Sequence, residues 1–354
     1  MPFGVRSDVG FGFGYGYGLG YDHGPTVPVV GRPGGGPERV RSPGPLRWWG
    51  TGSVGGMAPT ADLTGRVILI TGSNSGIGKA AATALARRGA TVVMTSRNEA
   101  RGRRALAEVT RRARVLDDRV VMLPLDLARL SSVRACAAEV LDRYDRLDVL
   151  VNNAGGIISD RRVTEDGFEM TIGVNHLGPF LLTQLLLDRL LASAPARIIN
   201  TSSIAHRLGA ISWADLERQR FYNGTDAYNQ SKLANVLFTA ELSRRFAPSG
   251  VVANCLHPGA VRSGFGAGGD TTGPERWILM AGRPFMVSPH RGAQPIIRLA
   301  SLPEYETATG GYYVAGYLSR CARHQPSAAA RDPEAARRLW ALSEQLLDSV
   351  QPAA

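Results

Sequence analysis

Two residues near the middle of the chain have the types and spacing needed to move a proton. Tyr228 and Lys232 are four residues apart at the start of a predicted helix, so the phenol and the ammonium share one face. A nearby positive charge lowers the pKa of a tyrosine from its usual value near ~10. Reaching about 7 would take roughly 4 kcal/mol, which Lys232 and a second positive charge could supply in a water-poor site. We therefore expect Tyr228 to act as a general acid or base with a lowered pKa.

The rest of the composition makes Lys232 unusual. Only Lys79 and Lys232 are lysines among the 41 basic residues, so 39 are arginines. A tyrosine and a lysine at this spacing also occur on ordinary surface helices. In a chain that otherwise uses arginine, however, a compact ammonium indicates a position that a planar guanidinium cannot fill.

A glycine-rich turn separates a predicted buried strand from a predicted helix. The apolar run 66–71 suits a strand buried on both faces, and helical texture follows over 76–88. Glycines at such a turn allow the backbone to approach a pyrophosphate, which the N–H groups of the helix N-terminus then bind. The pattern predicts a dinucleotide site. Its expected contacts are Gly72, Ser73, Ser75, Gly76, Ile77 and Gly78.

The end of the second strand indicates which dinucleotide is preferred. A carboxylate there would hydrogen-bond the ribose 2′-hydroxyl of NAD, whereas an arginine accommodates the 2′-phosphate of NADP. Arg97 follows the strand 91–95, and the first carboxylate is Glu99. We favour NADP, with NAD as the alternative because arginine is common throughout this chain.

Polar and small residues follow the third and fourth strands. Asp126, next to Leu127, is placed where its carboxylate could meet an adenine edge. Asn153 precedes Ala154 and Gly155 at the end of the fourth strand. Amides at a strand end usually hold neighbouring backbone together, so these residues are expected to frame the cofactor rather than to react.

Two more residues could assist Tyr228. Ser203 ends the fifth strand and is expected to orient a substrate carbonyl, with the adjacent Ser202 the weaker candidate. Asn175 lies within the helix between the fourth and fifth strands. An amide there would disturb the helix unless it binds a water molecule or a backbone carbonyl.

A framework of alternating strands and helices must hold these residues. Alternation at this spacing predicts an α/β fold, a single doubly wound Rossmann domain with a central parallel β-sheet and helices on both faces. The later strands are predicted at 120–123, 147–151, 196–200 and 251–255, and the other helices at 98–115, 131–144, 166–192, 226–247 and 333–347.

In combination, these motifs resemble the short-chain dehydrogenase/reductase family, and the sequence around Asn175, Ser203 and Lys232 is similar to its retinol-dehydrogenase-like branch. The resemblance covers about residues 62–347. It implies a catalytic tetrad in which Tyr228 is the general acid/base and Lys232 lowers its pKa and holds the nicotinamide ribose. Ser203 would polarise the carbonyl, and Asn175 would hold a relay water.

The resemblance has further implications around the nicotinamide. Pro258, Gly259 and Val261 would flank its amide, and a substrate lid would span about 262–290. The expected activity is NADP-dependent interconversion of a lipophilic alcohol with an aldehyde or ketone. A homo-oligomer is expected, with helices 166–192 and 226–247 at the dimer faces.

The ends of the chain and its composition indicate the bounds of the catalytic domain and the cellular location. Residues 1–57 hold 17 of the 42 glycines and are predicted to be a disordered tail, or untranslated if Met57 is the true start; residues 58–354 form the catalytic domain. The three cysteines lack disulfide or zinc spacing, so we expect no metal and a cytoplasmic location. No apolar run has the length of a membrane span.

Two other functions fit parts of the sequence. The net charge of +11 could indicate a nucleic-acid partner, but arginine bias and the lack of aromatic platforms argue against one. A non-catalytic dinucleotide-sensing regulator on the same fold is the main alternative. Such a protein would be expected to lack a member of the tetrad, and all four residues are present.

Overall fold

A computed structural model describes residues 61–262, 286–315 and 321–350. The predicted tail 1–57 and most of the predicted lid, residues 263–285, lie outside the described residues. Within them, one eight-stranded sheet has the order β3-β2-β1-β4-β5-β6-β7-β8. The strands are β1 (Val67–Ile70), β2 (Thr91–Ser96), β3 (Val120–Pro124), β4 (Val149–Asn152), β5 (Ala196–Thr201), β6 (Val251–His257), β7 (Tyr312–Val314) and β8 (Ala322–His324).

Helices cover both faces of the sheet. They are α1 (Gly76–Ala86), α2 (Glu99–Ala113), α3 (Leu130–Arg143), α4 (Met170–Ala192), α5 (Gly224–Phe246), α6 (Pro289–Gly292), α7 (Gln294–Ser301) and α8 (Pro333–Asp348). The expected Rossmann fold is confirmed.

The central strands are continuously apolar because both faces of the sheet are buried. In β1, Leu69 faces one core, formed with α3, α4, α5 and α8, while Ile68 and Ile70 face the other, formed with α1, α2 and α7. All three side chains are inaccessible to solvent. Alternation between two buried faces explains why the run 66–71 shows no polar residue every second position.

The edge beyond β6 differs from the predicted sheet. β7 pairs with β6 in parallel, and β8 pairs with β7 in the antiparallel direction. Both strands have only three residues, which is too short for an apolar pattern to identify them.

The C-terminal helix α8 begins where the sequence predicted. Asp332 caps it by accepting a hydrogen bond from the Glu334 N–H at 2.8 Å, and Pro333 occupies the first turn. Trp340, near its middle, packs against Phe180 of α4 and Phe238 of α5, with ring centroids 4.9 and 5.8 Å apart. Part of the surface expected to form a dimer is therefore covered by α8 of the same chain.

Contrary to the expectation that no apolar run has the length of a membrane span, the helix α4 matches one by length and composition alone. It is the one such helix among the described residues, and 72% of its apolar window is buried inside the chain. Phe180, Leu182 and Leu186 are fully buried, so the core accounts for this apolar character.

Candidate active site

The predicted site residues converge at the carboxyl edge of the sheet. The strand order reverses between the parallel neighbours β1 and β4: the chain adds β2 and β3 on one side of β1, then crosses back and adds β5 and β6 beyond β4. In open α/β sheets, ligands bind in the crevice that opens at such a reversal. A cleft lies there between the ends of β1, β2, β3 and β4, lined by Gly72, Arg97, Asp126, Leu127, Ala154 and Gly155 among others.

The turn after β1 requires its glycines. Gly72 and Gly76 have φ angles of +62° and +55°, in the left-handed region that glycine adopts without strain. A Cβ on Gly78 would lie 2.6 Å from Nδ2 of Asn153 and 2.7 Å from the Gly72 carbonyl oxygen. A residue larger than glycine would prevent this approach of helix and strand, which brings the N-terminus of α1, where a pyrophosphate would bind, next to the end of β1.

The remaining residues of the turn differ in whether their side chains are exposed or buried. Ser75 precedes α1 and makes no side-chain capping bond, and Ile77 is partly exposed. Ser73 differs from expectation, because its side chain is fully buried. Its hydroxyl donates to the Ile70 carbonyl at 2.9 Å and accepts from the Thr95 N–H at 2.9 Å. Its main-chain N–H also donates to the Thr95 carbonyl at 3.2 Å, so both its side chain and its N–H tie β1 to β2.

The loops after β2 and β3 place charged side chains on the cleft. Arg97 is exposed and follows β2 directly, while Asp126 follows β3. One Asp126 carboxylate oxygen accepts from the Ala128 N–H at 3.1 Å, which fixes its rotamer. The charges suit a 2′-phosphate and an adenine amino group.

The amides after β4 hold backbone together, as expected. Asn153 donates to the Thr71 carbonyl at 2.8 Å, and the Thr71 hydroxyl accepts from the N–H groups of Asn153 and Ala154. Asn152 donates to Thr183 and Asn200. These bonds join the ends of β1, β4 and β5 beneath the cleft.

The tetrad residues meet at the ends of β5 and α5. Ser203 is half-buried and its hydroxyl hydrogen-bonds the hydroxyl of Tyr228. The Lys232 ammonium nitrogen lies 5.5 Å from the centroid of the Tyr228 ring and donates to the Thr201 carbonyl at 3.3 Å. Ser202 turns away, donating its hydroxyl to the Lys232 carbonyl at 2.7 Å. Ser203 is thus the serine that faces Tyr228.

Asn175 binds a backbone carbonyl, one of the two partners expected for an amide inside this helix. It lies in a π-helical turn, Gly173–Leu177, within α4. Its Nδ2 donates to the Gly156 carbonyl and to the Ser231 hydroxyl, both at 2.9 Å, and its Oδ1 accepts from the Gly156 N–H. The side chain therefore ties α4 to α5 and to the loop after β4. Single π turns often mark functional sites.

Burial shifts the pKa values of Tyr228 and Lys232. Desolvation raises the pKa of Tyr228 to about 12, although the hydrogen bond with Ser203 acts in the opposite direction. Desolvation also lowers the pKa of Lys232 to about 8. The raised pKa of Tyr228 holds for the chain without a cofactor, whereas the lowered pKa was expected with a second positive charge beside Lys232, and that expectation stays a prediction. Burying the phenolate carries a free-energy cost that residue types and spacing do not reveal.

We expect Gly155→Ala to reduce turnover strongly. A Cβ there would lie 2.9 Å from Oδ1 of Asn175 and 3.2 Å from Nζ of Lys232, so both groups would have to move. A displacement near 1 Å can cost on the order of 10²-fold in rate. Steady-state kinetics would measure the loss in kcat. Gly156→Ala is the matched control, since its Cβ would meet nothing within 4 Å; equal losses in both variants would contradict this prediction.

The segment after β6 faces the turn that precedes α1. Gly259 has a φ of +79°, and Val261 pairs with Val287 as an isolated bridge. A Cβ on Gly292 would lie 2.5 Å from Val261, 3.0 Å from Ile77 and 3.2 Å from the Pro258 carbonyl oxygen. Pro258, Val261 and Ile77 thus lie together around Gly292, while the contact of Pro258, Gly259 and Val261 with the nicotinamide amide stays a prediction.

The sequence missed several residues that line the cleft. Thr95, Gly156, Ile158, Arg162, Met170 and Val174 belong to this set. Of these residues, Gly156 was the easiest to predict from the sequence, because it continues the run of small residues that follows Asn153. Ile158 and Met170 lie in irregular chain or at a helix end, where no periodic pattern indicates which way a side chain points.

Two buried histidines, His176 and His206, have structural environments. His176 and His206 are buried, and Nε2 of His176 is 2.9 Å from the Ser343 hydroxyl. Within the described ranges, no cluster of three His, Cys, Asp or Glu side chains could hold a metal ion.

Comparisons with known proteins agree with this geometry. The family described as short chain dehydrogenase matches residues 66–270. The chain is 44% identical to retinol dehydrogenase 13 of Homo sapiens, over 84% of this chain and 90% of that protein. It is 42% identical to retinol dehydrogenase 12 of Mus musculus, over 83% and 90% of the two chains.

Solved structures show the same fold. An uncharacterized protein from Mycobacterium Paratuberculosis is 37% identical with a TM-score of 0.65, over 83% of this chain and 98% of that one. A short chain dehydrogenase from Shigella flexneri complexed with NADP is 24% identical with a TM-score of 0.57, over 72% and 99%.

Proposed function

Because this chain belongs to the short-chain dehydrogenase family and is retinol-dehydrogenase-like, we propose that it interconverts a lipophilic alcohol and its aldehyde or ketone, with NADP as hydride carrier and Tyr228 as general acid/base. Membership in the family makes it an NAD(P)-dependent oxidoreductase acting on CH–OH donors. The preference for NADP, the role of Tyr228 and the substrate class are the proposed parts.

One observation carries the proposal. The Tyr228 phenol, the Ser203 hydroxyl and the Lys232 ammonium lie together beside a cleft whose glycines fit a dinucleotide. A proton donor, a carbonyl-orienting hydroxyl and a fixed cation are the groups needed to reduce a carbonyl next to a hydride source.

The residues of the cleft fit a nicotinamide dinucleotide, which when bound supplies or accepts the hydride. The turn at Gly72 to Gly78 would hold its pyrophosphate, and Lys232 its ribose. Ser203 orients the substrate oxygen beside the phenol of Tyr228. Tyr228 gives that oxygen a proton during reduction and removes it during oxidation. Its raised pKa keeps the phenol protonated near neutral pH, the form required for reduction.

We expect Arg97→Asp to reverse the preference between NADP and NAD. The carboxylate would repel the 2′-phosphate and accept a hydrogen bond from the 2′-hydroxyl instead. Losing a charge-assisted bond of about 1.5–3 kcal/mol lowers kcat/KM for NADPH by roughly 10- to 100-fold. The ratio of kcat/KM for NADPH to that for NADH measures the preference.

Arg104→Asp provides the matched control for this test. Arg104 is exposed on α2 and does not line the cleft, yet the substitution changes the net charge equally. A cofactor ratio unchanged by Arg97→Asp, or shifted equally by both variants, would contradict the role of Arg97.

Exposed apolar side chains near Ser203 and before α5 support a lipophilic substrate. Ile204 and Leu208, just after Ser203, are 53% and 81% exposed, and Phe221 is 72% exposed. The curated relatives named above carry retinol, a lipophilic alcohol, in their names. A series of aldehydes of increasing chain length, followed by NADPH absorbance, tests this class. Apolar contacts predict that kcat/KM rises with chain length; a preference for short, polar carbonyls would contradict it.

The setting of the enzyme stays a prediction. We propose that residues 58–354 form the catalytic domain, that the protein acts in the cytoplasm and that it forms homo-oligomers. A dimer would have to accommodate α8, which packs on α4 and α5.

A further inference from the structure

His206, three residues after Ser203, is completely buried in the 3₁₀ turn Ile204–Arg207. Both ring nitrogens have backbone partners. Nδ1 is 2.7 Å from the main-chain carbonyl oxygen of Ser203, and the Ser327 N–H donates to Nε2 at 3.2 Å. A carbonyl can only accept and an amide N–H can only donate. The ring is therefore neutral, with its single hydrogen on Nδ1.

This hydrogen bond fixes the backbone that carries the Ser203 hydroxyl. The Ser203 carbonyl accepts from the His206 ring and from the His206 N–H at 3.1 Å. The ring itself packs against Tyr312 of β7 with centroids 4.8 Å apart, and Tyr312 is buried. The His206 ring thus packs against β7 of the sheet on one side and hydrogen-bonds the Ser203 carbonyl on the other.

The second ring nitrogen links this turn to the C-terminal segment. Ser327 lies between β8 and α8. Arg207, next to His206, donates to the Gln325 carbonyl at 2.7 Å. The Arg338 guanidinium of α8 lies 4.5 Å from the ring centroid of Trp213 in the loop that follows the turn. Residues 325–338 therefore contact the chain on the carboxyl side of Ser203 at three points.

We propose that His206 is a positioning residue, which orients the Ser203 hydroxyl toward Tyr228 through its hydrogen bond to the Ser203 carbonyl. This inference rests on the proposed function, in which Ser203 orients the substrate carbonyl. His206 itself touches neither substrate nor cofactor. Its effect is therefore expected in kcat, because a misplaced hydroxyl fails to stabilise the transition state.

Three substitutions separate the two ring nitrogens. The amide nitrogen of asparagine reaches about as far as Nδ1, so His206→Asn can still donate to Ser203 but loses Ser327. The longer glutamine reaches about as far as Nε2, so His206→Gln retains a partner for the Ser327 N–H but loses Ser203. His206→Ala loses both. We expect kcat to fall on the order of 10- to 100-fold in the alanine and glutamine variants and to stay within about threefold of wild type in the asparagine variant.

The dissociation constant for NADPH, measured by its fluorescence, should be unchanged in all three variants. Arg207→Ala is the control, since it removes a neighbouring contact with the same segment without touching Ser203; its kcat should match wild type. Melting temperatures report the structural effect separately. If the alanine variant fails to fold, the comparison of kcat between the asparagine and glutamine variants tests the proposal by itself.

Equal kcat values in the asparagine and glutamine variants would overturn the proposal, as would wild-type kcat in the alanine variant. A fall in melting temperature with unchanged kcat would show a merely structural role and overturn it too. These outcomes leave the proposed function intact, because the wild-type enzyme still turns over. A wild-type enzyme inactive on every alcohol and carbonyl tested would instead refute the proposed function, and this inference with it.

Discussion

We expect Tyr228→Phe to lower kcat by on the order of 10³-fold while the Kd for NADPH changes little. The substitution removes only the hydroxyl that exchanges a proton with the substrate oxygen and bonds Ser203. The aromatic ring remains, so its contact with the Lys232 ammonium and the shape of the cofactor cleft are preserved. Stopped-flow or steady-state assays of NADPH oxidation give kcat, and NADPH fluorescence gives Kd.

Tyr144→Phe is the control for this prediction. Tyr144 follows α3 and does not line the cleft, so loss of its hydroxyl should leave kcat near wild type. Substantial turnover in Tyr228→Phe would contradict the assignment. Loss of both turnover and NADPH binding would instead indicate that the hydroxyl supports the fold of the site.

The second large effect is expected for Lys232→Arg, which keeps the charge but changes its shape. Lys232 is 3% exposed, and its ammonium nitrogen packs closely against Gly155. A Cβ added to Gly155 would lie only 3.2 Å from that nitrogen. A planar guanidinium needs more room and cannot place one compact charge near both Tyr228 and a ribose. We expect kcat/KM to fall by at least about 10²-fold.

The chain contains an ideal control, because its other lysine lies outside the cleft. Lys79 pairs with Glu108 at 2.6 Å on the surface of α1, and arginine can make the same ion pair. Lys79→Arg should therefore keep wild-type kcat/KM and stability. An active Lys232→Arg enzyme would contradict the claim that the scarcity of lysine in this sequence marks a functional position.

Much of the framework could be predicted because its signals are local. The buried run before Gly72 and the capping residue Asp332 each depend on a few neighbouring side chains, and the structure places β1 and α8 close to the predicted bounds. The glycines of the turn were also predictable, since Gly72 and Gly76 have φ angles that other residues rarely adopt.

The rest depends on contacts between distant segments. Ser73 lies within the predicted motif, yet its hydroxyl is engaged between β1 and β2. The pKa of Tyr228 rises because several elements exclude water around it, which no spacing of residues reveals. The environment of His206 likewise includes a distant residue, since its Nε2 accepts from the N–H of Ser327, 121 positions further along the chain.

The central claim is that hydride passes between the cofactor and a carbonyl carbon while Tyr228 handles the proton. The direct test is incubation of the enzyme with a lipophilic aldehyde and NADPH carrying deuterium on the transferable position of nicotinamide C4. Mass spectrometry of the alcohol locates the label. We predict one deuterium on the carbinol carbon with the wild-type enzyme and almost no labelled alcohol with Tyr228→Phe. Alcohol without deuterium on that carbon, or equal labelled product from both proteins, would contradict the account.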